Sequence, residues 1–330
     1  MSLQRQKTCF TAFINMNLQT IIQIPRSDLL ITHQDKIMMQ GSCFAENLFS
    51  YMQESGFETN SNPFGILYNP ASIAHCFRRL LQPEPYTGSD LFEHQGMFHS
   101  FDHHSRFSDI SPDRCISRMN EQLSLSAGFM QKSTVFIITF GTAYVYYDKN
   151  GQVVSNCHKL PDKCFVRRRL PVDEIAALWH SLITDIRKIN PESKFLFTVS
   201  PIRHWKDGAH GNQLSKSALL LAIEEISGHH AGCYYFPSYE IVMDELRDYR
   251  FYADDMLHPS SFAVQYIWEK FSAAFFDKPT MDKIKEWQKL NRALKHKPLH
   301  PDSEEYRRFV EETEKLINND HIIFYQDLVK

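Results

Sequence analysis

Apolar runs of strand length alternate with longer helical patterns along most of this 330-residue chain, and few architectures accept that alternation. Ile37–Gln40 is predicted as a strand, and Phe44–Glu54 as a helix with Phe44, Leu48 and Tyr51 on one face. Pro70–Leu81 is a second predicted helix, with Asn69 as cap and Pro in its first turn. Thr134–Phe140 (TVFIITF) is continuous, β-branched and aromatic, the pattern of a strand buried on both faces. Tyr144–Tyr147 is predicted to enter a tight turn at Lys149-Asn150-Gly151. Helix Val172–Ile189 lies between Pro171 and Asn190-Pro191, and strand Lys194–Val199 stops at Ser200-Pro201. Helix Leu214–Ile226, strand Cys233–Phe236 and helix Ser260–Phe275 complete the series. The order implies an α/β fold with a mostly parallel sheet covered by helices on both faces. Beyond it, Met281–Leu294 and Ser303–Asn318 read as charged, peripheral helices. The expected division is an extension over 1–17, an α/β domain over 18–276 and a helical extension over 277–330.

Composition narrows the classes of function. A net charge of −3 gives no reason to expect nucleic acid or an anionic membrane as partner. No apolar run approaches the ~20 residues of a membrane span. The first residues lack the uninterrupted apolar core and small-residue cleavage site of a signal peptide. Seven Cys are scattered without close pairs, so reduced thiols and a cytoplasmic location are expected. The segment Gln82–Pro112 reads as a long loop rich in His and aromatic residues. Its His94, His99, Asp102, His103 and His104 are metal-ligand types without metal-site spacing, so neither a metal nor a cofactor is expected. The oligomeric state is not written in the sequence.

The most telling stretch is Lys36–Leu48. An apolar run ends in Gly41-Ser42-Cys43, and an amphipathic helix begins at once. Such a turn holds a side chain at the edge of a sheet, beside the free N–H groups of a helix start. Far downstream, Asp255-Met256-Leu257-His258-Pro259 offers an imidazole base and a carboxylate three residues before it. Ser42 as nucleophile, His258 as base and Asp255 as its orienting partner make a hydrolytic triad. The plainer alternatives are helix starts: Ser42 caps one helix, and Asp255 and His258 lead into another.

These residues carry a family resemblance. Gly41–Ala45, GSCFA, resembles the name-giving motif of the GSCFA-domain proteins, a bacterial group placed with the SGNH, or GDSL-like, hydrolases. The resemblance continues through Asn62-Pro63-Phe64-Gly65, Phe140-Gly141-Thr142-Ala143, Asn156-Cys157-His158-Lys159, Ser200-Pro201-Ile202-Arg203-His204 and the Asp255–Pro259 segment. It implies a three-layer α/β/α sandwich and ester hydrolysis by a serine with an Asp-x-x-His pair. Two registers are open. Gln40-Gly41-Ser42 makes Ser42 the nucleophile, and Gly41-Ser42-Cys43 makes it Cys43. Ser42 is favoured, because Cys43, next to Phe44, can equally face the core. The resemblance also implies an oxyanion hole with a Gly N–H, matched by Gly65, and an Asn two residues after Gly141. Ala143 stands there instead. Asn156, or the N–H groups at Gly141 and Thr142, are the expected substitutes. His158, Arg203 and His204 are expected substrate contacts. The implied substrate is a small-molecule or glycan O-acyl ester. An acyltransferase would use the same residues, and a non-catalytic binding protein on a degenerate fold is the competing reading.

Overall fold

Five parallel strands form the central sheet of the protein. A computed structural model describes residues 19–24 and 27–295, with Glu304 and Arg308 beyond them. The expected extension over 1–17 and most of the expected helix Ser303–Asn318 lie outside the described residues. Strand β1 (Lys36–Gln40) leads through α1 (Cys43–Glu54) to β2 (Glu58–Ser61) and α2 (Pro70–Leu81). A small hairpin, β3 (Phe92–His94) and β4 (Met97–His99), lies in the long segment before α3 (Pro112–Met130). Then come β5 (Val135–Phe140) and a separate antiparallel sheet of β6 (Tyr144–Tyr147), β7 (Val153–Val154) and β8 (Val166–Arg169). Helix α4 (Val172–Ile189), β9 (Lys194–Val199), α5 (Gly208–His229) and β10 (Cys233–Phe236) follow. The short α6 (Ser238–Glu240), α7 (Ser261–Phe275) and α8 (Lys278–Lys295) complete the described chain.

The central sheet runs β10-β9-β5-β1-β2, every pair parallel. Counted among themselves, its strands are ordered second, first, third, fourth, fifth. The connection reverses direction between β1 and β5, and in such sheets sites form outside the carboxyl ends of the strands at that reversal. Gly41 and Gly141 each follow one of these two strands.

Side-chain alternation builds the three layers. Ile37 and Met39 of β1, with Val135 and Ile137 of β5, pack against α1 and α7 on one face. Met38, Phe136, Ile138, Phe195 and Phe197 face α2, α3, α4 and α5 on the other. Every residue of β5 is buried, as its unbroken apolar run requires. The expected α/β/α sandwich is the fold the chain forms.

Helix α5 starts six residues before its apolar pattern does. Its first turns are polar because they hold loops rather than fill the core. Asn212 Oδ1 accepts from the His204 N–H at 3.0 Å, and Ser215 Oγ accepts from the Ala143 N–H at 2.7 Å.

Candidate active site

The turn from β1 into α1 is locked from several sides. Asn62 Oδ1 accepts from the Gly41 N–H and from Gln40 Nε2, both at 2.9 Å. Gln40 Nε2 also donates to the Gly65 carbonyl. Asn62 holds φ at +47°, a left-handed conformation that Asn tolerates better than most residues. Gly41 is required by closeness: a Cβ there would stand 2.6 Å from Thr139 Cβ and 2.9 Å from Ala45 Cβ.

This turn gives Ser42 and Cys43 different surroundings. Ser42 is the extended N-cap of α1 and 2% exposed. Its Oγ is buried with no hydrogen-bond partner and caps no N–H. Cys43 is half-buried, and its Sγ lies 3.6 Å from His258 Nε2. The expected hydrogen bond from Ser42 Oγ to His258 is not formed here. The imidazole faces the thiol of Cys43, because the extended cap turns the Ser42 side chain inward.

His258 is held by Asp255. The Asp255 Oδ2···His258 Nδ1 distance is 2.5 Å. Asp255 Oδ1 accepts from the N–H groups of Leu257 and His258, both at 2.9 Å. These backbone bonds, then the bond to the imidazole, hold the Asp255 carboxyl down at about 2. The loop closes on itself through Ala253 N–H to His258 O and Ser260 N–H to Phe251 O. Met256 takes φ +59° at its tip. With Nδ1–H directed at Asp255, Nε2 presents its lone pair to the thiol. Burial raises the Cys43 thiol above its ordinary value, while the N–H groups of Phe44 and Cys43 at the helix start pull the other way.

Tyr68, His204 and Lys216 gather around Gly141, at the turn that follows β5. A Cβ on Gly141 would lie 3.3 Å from His204 Nε2 and 3.1 Å from the Tyr68 carbonyl. The His204 ring meets Tyr68 edge-on at 5.7 Å. Burial, then the charges of Lys216, Arg167 and His258, lowers His204 to about 4, so its ring is neutral. Lys216, fully buried, donates to the carbonyls of Gly141 and Ser200 at 2.6 Å each. An open groove of about 370 Å³ between α1 and α7 adjoins this corner, lined by Asn47, Ser50 and Tyr51 on one side and Pro259 and Ser261 on the other.

The expected oxyanion donors are engaged elsewhere. The Gly65 N–H closes a turn to the Asn62 carbonyl at 2.8 Å. The Thr142 and Gly141 N–H groups both donate to the Tyr68 carbonyl. Asn156 belongs to the loop beside Phe101: its N–H donates to the Phe101 carbonyl, its Oδ1 accepts from the His158 N–H, and its Nδ2 reaches Ser105 Oγ at 3.4 Å. His158 is buried there too, bonded to the Ser100 carbonyl and packed on His99. These two therefore shape a loop rather than join Cys43 and His258. Arg203, by contrast, makes no ion pair among the described residues and lies near Trp205 and Met243.

Asn62, Tyr68 and Lys216 were not among the expected site residues. Asn62 does stand in the Asn62-Pro63-Phe64-Gly65 stretch, but nothing in the sequence says that its side chain reaches the turn. In the segment before α3, Asp102 lies 3.0 Å from His75 Nε2 and accepts from the Tyr86 hydroxyl at 2.9 Å, and His99 bonds Ser108.

Solved structures similar to the chain include a family 3 carbohydrate esterase of Clostridium thermocellum, at TM-score 0.36 and 10% identity over 76% of this chain and 97% of that one. A family 3 carbohydrate esterase from Talaromyces cellulolyticus matches at TM-score 0.36 and 10% identity, over 76% and 99%. The acetyl xylan esterase Est2A of Butyrivibrio proteoclasticus matches at TM-score 0.37 and 9% identity, over 74% and 64%. The search of curated proteins gave no sequence match. The described C-terminal helix enters the region, residues 287–319, that matches the GSCFA domain protein, C-terminal domain. The sequence model of the GSCFA family matches residues 36–271, most of the chain and all of the corner just described, and the protein belongs to that family.

Proposed function

We propose that the protein is an acyl hydrolase in which Cys43 is the nucleophile, His258 the general base and acid, and Asp255 the group that orients His258. The observation that carries this reading is the 3.6 Å approach of Cys43 Sγ to His258 Nε2, with Asp255 on the other ring nitrogen. A small O-acyl ester is the proposed substrate, entering from the groove beside Pro259.

The steps follow from these positions. His258 Nε2 takes the thiol proton as Sγ attacks the acyl carbon. The N–H groups at the start of α1 and the neutral ring of His204 donate to the oxygen that becomes negative. The tetrahedral species collapses, the C–O bond breaks, and His258 gives its proton to the departing alcohol. A thioester on Cys43 remains. Water then attacks it, again losing a proton to His258. The second collapse releases the acid, and the thiolate regains the proton.

A non-catalytic binding protein is the second reading, favoured by the engagement of the Gly65 and Thr142 N–H groups. One experiment separates the two. The protein is mixed with p-nitrophenyl acetate, quenched in acid and digested. The first reading expects an acetyl group on the Cys43 peptide and a burst of nitrophenol. A Cys43→Ala variant should lose the adduct and at least about 1000-fold of turnover. Equal turnover in that variant would overturn the assignment of Cys43, and the absence of both adduct and turnover in the parent would favour binding alone.

A further inference from the structure

Three imidazoles meet on the far side of the molecule. His180 lies midway along α4, His229 is the last residue of α5, and His230 follows it. One ring nitrogen from each falls within 4.8 Å of the others. The ring centroids are 4.5 Å apart for His180 and His229, 5.0 Å for His180 and His230, and 4.9 Å for His229 and His230. His180 Nδ1 and His230 Nε2 are buried and have no hydrogen-bond partner. Two buried, unpartnered ring nitrogens in a cluster of three imidazoles make an arrangement that costs stability unless something accepts their lone pairs.

A divalent cation does so. Neutral imidazole is a first-rank ligand for zinc and its neighbours in the first transition row. Zn–N bonds of about 2.0–2.1 Å place tetrahedral ligand nitrogens roughly 3.3 Å apart, a closure that rotation of these side chains can supply. Glu225 stands one helical turn before His229, and its charge acts on His180, so a carboxylate is at hand beside the cluster. The nearby cation, Arg187, is directed away into the carbonyls of Ser193 and Ala231.

We propose that His180, His229 and His230 form a binding site for a divalent transition-metal ion, best suited to zinc, that clamps the middle of α4 to the end of α5. Its place argues for a structural role. Helix α5 begins four residues after His204 and runs for 22 residues, about 33 Å, before it reaches His229. The metal would therefore sit at the opposite end of the helix from the Cys43–His258 pair.

Zinc titration of the full chain by calorimetry, with thiols kept reduced by a phosphine, tests this. One zinc ion per chain with micromolar or tighter affinity is expected, together with a higher melting temperature. The variant His180→Gln/His229→Gln/His230→Gln should lose at least about 100-fold in affinity and all zinc-dependent stabilisation. His229 is exposed, so His229→Gln alone should fold as the parent does and lose about tenfold. No binding by the parent would overturn the proposal. So would undiminished binding by His229→Gln and the triple variant, which would send the metal to thiols or to the histidines before α3.

Discussion

Ser42 and Cys43 are adjacent, yet their side chains answer to different constraints. Ser42 Oγ is buried without a partner, and its side chain caps nothing. Removing an unsatisfied hydroxyl relieves a desolvation penalty of about 1–3 kcal/mol, so Ser42→Ala should melt at or above the parent's temperature and keep its activity. A fall of tenfold or more in kcat/KM would return the nucleophile to Ser42. Cys43 is held above its ordinary value chiefly by burial, so its thiol stays protonated near neutrality until His258 takes the proton. In His258→Ala that acceptor is gone. Alkylation of Cys43 by iodoacetamide should then become slow at pH 7 and recover only as pH rises past the usual thiol range. The same pH profile in parent and variant would remove His258 from this role. At His204, loss of a donor to the oxyanion predicts that His204→Ala lowers kcat by roughly 100-fold with little change in KM. A change confined to KM would instead make His204 a substrate contact. The Asp-x-x-His pairing was legible in the sequence, because three-residue spacing on a short loop permits few arrangements. Which of the two side chains, Ser42 or Cys43, lies against His258 was not, because it depends on how the cap residue turns. Neither were Gly65 and Thr142, whose N–H groups are taken up by carbonyls that no motif specifies.

At the scale of elements, the site is a meeting of strand ends held by buried polar groups. Four of the five sheet strands announced themselves through apolar runs such as TVFIITF, whereas the edge strand β2 is the polar ETNS and neither it nor the sheet order was legible in the sequence. The first turns of α5 did not announce themselves either, since Asn212, Ser215 and Lys216 work by hydrogen bonds that interrupt the apolar pattern. Lys216 ties the end of β5 to the end of β9, and burial pushes its ammonium down to about 7. In the unfolded chain the same lysine titrates near 10.4. Between those values the unfolded state binds more protons than the folded one, so this group makes stability rise with pH. The slope approaches about 1.4 kcal/mol per pH unit for one such proton. Chemical denaturation at pH 7, 8 and 9 should show that rise in the parent relative to Lys216→Met. Parallel curves for the two proteins would mean that Lys216 titrates as an exposed lysine does.

Across the whole molecule, the helix after the sandwich is joined to the helix that carries Cys43. Charge and sequence position alone made α8 look peripheral, because its apolar residues are spaced widely among lysines. Yet Ile284 and Leu290 are buried, and Ile284 joins the core beneath α1 and α7. Asn291 Nδ2 donates to the Glu54 carbonyl at the end of α1. Gly56, at φ +81°, lies so close that a Cβ there would fall 2.1 Å from Trp287 Cε2. Helix α8 thus braces the C-terminal end of α1, whose N-terminal end presents Cys43. Full burial of one Ile or Leu side chain contributes about 1.5–3 kcal/mol, so these two alone represent several kcal/mol. A chain ending after Asp277 should therefore unfold at markedly lower denaturant concentration than the full chain. Because α1 would lose its brace, the Cys43–His258 approach should loosen as well, and acyl transfer from p-nitrophenyl acetate should slow under conditions where the shortened chain is still folded. Retention of both the denaturation midpoint and the acylation rate would show that α8 rests on α1 without supporting it.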